Sequence, residues 1–379
     1  MFFHRLKYAL LWIAVALPSP APLSLRAVAD RTGILIGTAV RPEQLSEPAY
    51  ASTLAREFNM LEPEDALEWE VVHPAPQTFD FSQADQIVDF ATRHGMRVRG
   101  HTLVWHHQNP RWLTEGKFTS ADLAEILETH IKTVVGHYRG KIFAWDVVNE
   151  AFDELHPGAL RSTIWSDQPG IGVAENAAAS NQPQASGSPA RSELEARSQK
   201  QSYLNLERCF RWAHEAGPQA LLFYNEAEAE VVNPKSDAIY AMVRDFRERG
   251  VPIDGVGFQM HIANLHADVA SISANIKRFT ALGVQVHITE MDVALPADAN
   301  GNARLEDLQR QADIYRLIAT ACLSHPRCTA IQTWGFTDKY SWIGSHSKKT
   351  QGAALLFDGN YRTKPAYDAL RTALRSGRR

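Results

Sequence analysis

Two glutamates close apolar runs. Glu150 follows Phe143-Ala-Trp-Asp-Val-Val148 and Asn149, and Glu290 follows Val284-Gln-Val-His-Ile288 and Thr289. Short apolar runs rich in Val and Ile read as buried strands, so each carboxyl stands where such a strand ends. Two carboxyls brought to one mouth are what cleavage of a glycosidic bond requires. Other polar or aromatic side chains gather at the ends of strand candidates: Glu64, His101, Trp105, Asn149, Asn225, Gln259, His261 and Trp334. Strands buried on both faces should be nearly all apolar, so this accumulation asks for a cause. Taken singly, each has a plainer role. Glu150 could answer a helix dipole, Glu290 could be a loop acid, and His261 a hydrogen-bonded structural residue. Trp105, Trp334 and Trp342 could be core residues.

The elements that must position them alternate along the chain. Strand candidates are 34–40, 58–64, 97–105, 142–150, 220–226, 255–261, 284–290 and 329–336. Between them lie amphipathic segments such as 83–93, 121–138, 202–216, 235–249, 269–282 and 305–323. Parallel neighbours need a crossover helix, and eight such units predict an α/β fold of the (β/α)8 TIM-barrel type as a single domain. Helix ends at His94-Gly95, Ala216-Gly217-Pro218, Arg249-Gly250 and Leu282-Gly283 read as C-caps leading into strands. A doubly wound open sheet is the competing topology, but no Gly-rich phosphate loop follows the first strand. Active-site groups of such a barrel collect at the C-terminal strand ends.

The stretch from about 168 to 198 is rich in Ala, Ser, Asn, Gln and Pro with hardly a large apolar residue. It reads as a flexible insertion after the fourth strand, outside the core. A net charge of −4 with no basic stripe excludes nucleic acid as a natural partner. Nine tryptophans offer ring faces that suit sugars as well as core packing, so their number decides nothing.

The first residues carry His4, Arg5 and Lys7, then an apolar run from Tyr8 to Leu17, then Pro18, Pro20 and Pro22. That is the pattern of an export signal, with Ala27-Val28-Ala29 as a cleavage site and a cut near Ala21 as the alternative. The run is too short to span a bilayer. A signal peptide over 1–29 and a catalytic domain over 30–379 are therefore expected, as is a secreted protein, periplasmic or extracellular, free of the membrane once the signal is removed. Cys322 and Cys328 lie close together, and in an exported protein such a pair is expected to form a disulfide. His325 between them makes a metal site conceivable, but no fourth ligand is nearby. Cys209 sits in a helical pattern as a small core residue.

Over nearly the whole mature length the chain resembles the family 10 glycoside hydrolases, the endo-β-1,4-xylanase family. The matching stretches include Glu57-Phe-Asn-Met60, Gly100-His-Thr-Leu-Val-Trp-His106 with Gln108, Pro110 and Trp112, and Trp145-Asp-Val-Val-Asn-Glu150. They continue with Phe223-Tyr-Asn225, Gly257-Phe-Gln-Met-His261, Ile288-Thr-Glu-Met-Asp292, Trp334-Gly-Phe-Thr-Asp338 with Ser341-Trp342, and Tyr361-Arg-Thr-Lys-Pro-Ala-Tyr367. The resemblance implies a retaining xylanase, with Glu150 as acid/base and Glu290 as nucleophile. Asn149 would hold the 2-hydroxyl of the sugar being cleaved. His261 would contact the nucleophile and be oriented by Asp292. His101, Trp105, Gln108, Asn225 and Gln259 would shape that sugar's site, with Trp334 and Trp342 as its roof, and Glu64 would bind the preceding sugar. A disulfide between Cys322 and Cys328 is also common in the family.

No metal and no organic cofactor is implied. The partner would be a polysaccharide, xylan or a related β-glycan, and the chain is expected to act as a monomer. Three departures stand out. Asp65 and Glu68 occupy positions where the family usually has Asn and Lys, and Glu226 stands where Asp is usual. Two extra acids beside Glu64 would crowd the preceding sugar's site with like charge. A retaining β-glycosidase on another β-linked glycan or short oligosaccharide is therefore an alternative. A non-catalytic carbohydrate-binding barrel is the alternative of a different class.

Overall fold

The computed structural model describes residues 23–156, 158–166, 203–298 and 302–377. The expected insertion and most of the expected signal peptide lie outside the described residues.

Eight parallel strands close on themselves: β1 (Leu35–Val40), β2 (Met60–Pro63), β3 (Arg97–Gly100), β4 (Ile142–Asn149), β5 (Leu221–Glu226), β6 (Gly255–Phe258), β7 (Gln285–Val293) and β8 (Cys328–Thr333). Each pairs with the next in order, and β8 returns to β1 through Leu35↔Ala330 to Thr38↔Thr333. The helices form the outer ring: α1 (Leu25–Thr32), α2 (Pro48–Glu57), α3 (Ser82–Arg93), α4 (Ser120–His137), α5 (Leu204–Ala216), α6 (Pro234–Glu248), α7 (Val269–Ala281), α8 (Leu305–Leu323) and α9 (Pro365–Ser376). Their starts follow local chemistry. Thr119 and Asp122 form a capping box on α4, and Asn233 caps α6 ahead of Pro234, whose missing N–H is no loss in a first turn.

Several strand ends differ from the sequence reading, and two of the differences bear on the site. β3 stops at Gly100, so His101 to Trp105 are loop rather than strand. β7 runs on to Val293, because a two-residue strand at His261–Ile262 pairs with Asp292 and Val293 and extends the ladder. Glu290 therefore lies within a strand, next to a register shift between Ile288 and Met291 that breaks the two-residue alternation and lets both Thr289 and Glu290 reach Asn225.

The first described helix begins ahead of Asp30. A cut after Ala29 would sever α1, in which Leu25, Val28 and Ala29 are buried. Fully buried Leu and Val each stabilise by roughly 1.5–3 kcal/mol. The Leu25 N–H and the Tyr367 hydroxyl both donate to Oε2 of Glu57, at 3.0 and 2.8 Å, tying α1 and α9 to α2. The described fold thus begins with α1 at Leu25, ahead of Asp30. A disulfide joins Cys322 and Cys328, while Cys209 is buried as a free thiol.

Candidate active site

Glu150 follows β4 with φ at +54°, a left-handed conformation that costs a non-glycine residue roughly 1–3 kcal/mol. Its surroundings hold it there. The Glu150 N–H donates to the Asn225 carbonyl, the Ala151 N–H to the Tyr224 hydroxyl, and the Phe152 N–H to Glu226. The side chain is aimed by two donors. The Trp105 indole reaches Oε2 at 2.8 Å and Nε2 of Gln259 reaches Oε1 at 2.8 Å.

Glu290 is buried and is gripped from two sides. Asn225 Nδ2 donates to Oε1 at 2.7 Å, and His261 Nε2 lies 3.2 Å from Oε2. The Asn225 amide is fixed in turn by the Thr289 hydroxyl on its Oδ1 at 2.8 Å. It needs a glycine beneath it, since a Cβ on Gly257 would collide with that same oxygen. His261 Nδ1 is 3.0 Å from Asp292, which also accepts from the Trp342 indole at 2.8 Å. Burial opposes a charged ring, but Asp292 and then Glu290 outweigh it and hold His261 well above its ordinary range. It is therefore an imidazolium whose two N–H groups face two carboxylates.

Asn149 joins the two halves. Its Oδ1 accepts from Asn225 at 3.0 Å and from Gln259 at 3.3 Å, completing a hydrogen-bonded path from Glu150 to Glu290. The register Asn149↔Asn225 between β4 and β5 sets these two amides side by side.

Beneath lies a charged layer that the sequence reading passed over. Arg99, Asp146 and Glu62 project into the barrel from β3, β4 and β2 and are fully buried. Arg99 ion-pairs with Asp146 and stands 3.5 Å from Glu62. His101 Nδ1 lies 3.0 Å from Asp146. Burial opposes its charge, but Asp146 and Glu62 raise it to about 10, so it too is an imidazolium. Glu62, His101 and Asp146 have a spacing that would suit a cation. Arg99 and the protonated His101 already supply positive charge to both acids. Charged residues in strands as short as Met60–Pro63 and Arg97–Gly100 were the available signal, since a buried charge must be paired.

Trp334 and Trp342 are partly exposed, with the Trp334 ring edge-on to His101 at 5.3 Å and Trp342 edge-on to His261 at 5.1 Å. The acids at the far end do not stand as expected. Arg41, which the sequence reading did not single out, pairs with Glu64 at 2.9 Å and Asp65 at 2.8 Å. Asp65 also accepts from Gln108 at 3.5 Å. Uncompensated like charge is thus not what this end presents. Burial pushes Glu64 up to about 7 against the pull of Arg41. Glu68 is buried 3.9 Å from Nε2 of His101, and burial pushes it up to about 8. Glu226 lies inside the barrel wall, ion-paired to Lys235 at 2.9 Å and accepting from the Tyr224 hydroxyl at 2.5 Å. It braces the turn that carries Glu150.

A sequence profile described as glycosyl hydrolase family 10 matches residues 24–187 and 184–373. The chain is 40% identical to endo-1,4-beta-xylanase B of Thermotoga neapolitana over 350 residues, 92% of this chain and 90% of that one. Among solved structures it is similar to native xylanase 10B from Thermotoga maritima, with a TM-score of 0.80 and 39% identity over 93% of this chain and 98% of that one. Xylanase 10B from Thermotoga petrophila RKU-1 in complex with xylobiose gives a TM-score of 0.81 at 38% identity, covering 94% and 98%.

Proposed function

The chain belongs to glycosyl hydrolase family 10, and from that premise we propose that it is an endo-β-1,4-xylanase that cleaves internal xylosidic bonds of xylan with retention of configuration. Glu290 attacks the anomeric carbon while Glu150 gives its proton to the departing glycosidic oxygen. The resulting glycosyl ester is then opened by water, whose proton returns to Glu150 as the C–O bond to Glu290 breaks. His261 and Asn225 hold Glu290 aimed, and Asn149 is placed to meet the 2-hydroxyl of the reacting sugar. Trp105 and Gln259 receive the carboxylate that Glu150 becomes once its proton has left, a charge that develops only along the reaction.

The observation that carries this reading is the unbroken path from Glu150 through Gln259, Asn149 and Asn225 to Glu290. A sugar-binding barrel has no need of two carboxyls held so. The test is proton NMR of xylohexaose during hydrolysis. The first reducing ends formed should be β-anomers, with products from internal cleavage. Initial α-anomers would overturn the mechanism, and release of xylose alone would overturn the endo action. Asp65 and Glu68 keep a second reading in view, a retaining β-glycosidase on another β-linked glycan, which the same assay on β-glucan and mannan separates.

Export belongs to the same proposal. The disulfide suits an oxidising compartment. Among the described residues no helix is long and apolar enough to cross a membrane. N-terminal sequencing of the exported protein should find a start at or before Leu23.

A further inference from the structure

Three acids and one guanidinium meet on the loops that follow β1 and β2. The pairing Val40↔Pro63, extended by the Glu64 N–H donating to the Val40 carbonyl at 2.9 Å, sets Arg41 beside Glu64. One nitrogen of Arg41, Nη2, then touches both Oε1 of Glu64 and Oδ2 of Asp65. The Arg41 side chain is 42% exposed and that of Glu64 only 8%, so the guanidinium forms rim and the Glu64 carboxyl forms wall. Through Asp65 the grip passes to Gln108, on the loop that also carries Trp105. Glu68 lies deeper, 1% exposed, with neither carboxyl oxygen hydrogen-bonded among the described residues. It stands 3.9 Å from Nε2 of His101, at the edge of the catalytic cluster.

We propose that Arg41 is a specificity-determining residue: by gripping Glu64 and Asp65 it shapes the site for the sugar that precedes the one being cleaved. The occupant is a β-linked xylose residue, so the inference rests on the function proposed above. The physical reason is charge pairing. Without Arg41, Glu64 and Asp65 lose the guanidinium that both touch, and nothing then fixes the two carboxyls in one orientation beside the cleft. With it, both are fixed as acceptors whose free lone pairs can receive sugar hydroxyls. Ground-state order of this kind acts only on substrates long enough to reach the site.

The test compares kcat/KM for an aryl β-xylobioside, which fills the preceding sugar's site, with that for an aryl β-xyloside, which does not. The ratio of the two should fall at least ten-fold in Arg41→Gln. In Arg41→Lys, which keeps the charge on a shorter reach, it should fall by a smaller factor of about three. A residue with a merely structural role would lower both rates together and leave the ratio alone. A wild-type ratio in both variants, or in Arg41→Lys alone should Arg41→Gln not fold, overturns the proposal. A wild-type protein that cleaves neither glycoside overturns the function proposed above, and this inference with it.

Discussion

Trp105 donates its indole N–H to Oε2 of Glu150 at 2.8 Å, and in the proposed mechanism that carboxyl gains charge only once it has delivered its proton. A donor aimed at charge that develops during reaction lowers the barrier rather than the ground state. Trp105→Phe keeps the ring and removes the donor. A hydrogen bond to a charged group contributes about 1.5–3 kcal/mol, so kcat/KM for xylotetraose should fall roughly 10- to 100-fold. An aryl xylobioside with a strongly acidic phenol leaves without a proton and should lose far less. Equal losses on the two substrates would show that Trp105 does not serve proton delivery.

Glu290→Ala removes the proposed nucleophile and opens the face it occupied. Turnover should be lost, and azide should restore it by attacking from that vacated face, giving an α-xylosyl azide of inverted configuration. NMR of the product decides, since a β-azide would reassign the nucleophile. Gly257→Ala is the quieter companion. Its Cβ would strike the Asn225 oxygen, and Asn225 is what holds Glu290. It should lower kcat, and overpacking this buried contact should also lower stability by about 1–3 kcal/mol, which the thermal midpoint checks.

Asp292 is the larger of the two attractions that keep His261 protonated. A base whose folded pKa is raised loses its stabilising charge as pH rises through that raised value. In Asp292→Asn the folded value falls, while the amide oxygen can still accept from Trp342. The alkaline limb of kcat/KM should therefore move to lower pH. Superimposable pH profiles for variant and wild type would remove His261 from the ionisations that govern the reaction.

His73 and His130 lie buried with their Nδ1 atoms 3.3 Å apart, and His130 stacks on Trp69 at 3.6 Å between ring centres. Burial depresses both, so both are neutral when folded. The unfolded chain then takes up their protons first, below its ordinary histidine value of about 6.5. Stability is whole above that pH and declines as pH falls below it, by at most about 1.4 kcal/mol per unit for each histidine. Urea unfolding at pH 7.5 and 5.5 should show the decline, and His130→Phe should flatten it while keeping the stack on Trp69. An equal pH response in both proteins would place the acid sensitivity elsewhere.

What the sequence determined by itself was whatever depends on near neighbours in the chain. α8 was legible to its ends at Leu305 and Leu323 because a 3.6-residue period over 19 residues is a strong local signal. Glu150 and Glu290 stood out because each follows an apolar run, though only the family resemblance implied their roles, and Cys322 and Cys328 stood out because six positions separate them. Register was not legible. That β7 runs past Glu290 to Asp292 depends on pairing with His261, 31 positions away. That Leu25 to Thr32 is core helix rather than leader depends on Glu57 and on α9 at the other end of the chain. Arg41 was invisible as a site residue because its partners follow a different strand, and Arg99 because its counter-charges come from two others. Local propensity acts over a few residues, whereas charge pairs across a barrel are set by closure of the sheet, which only the folded chain decides.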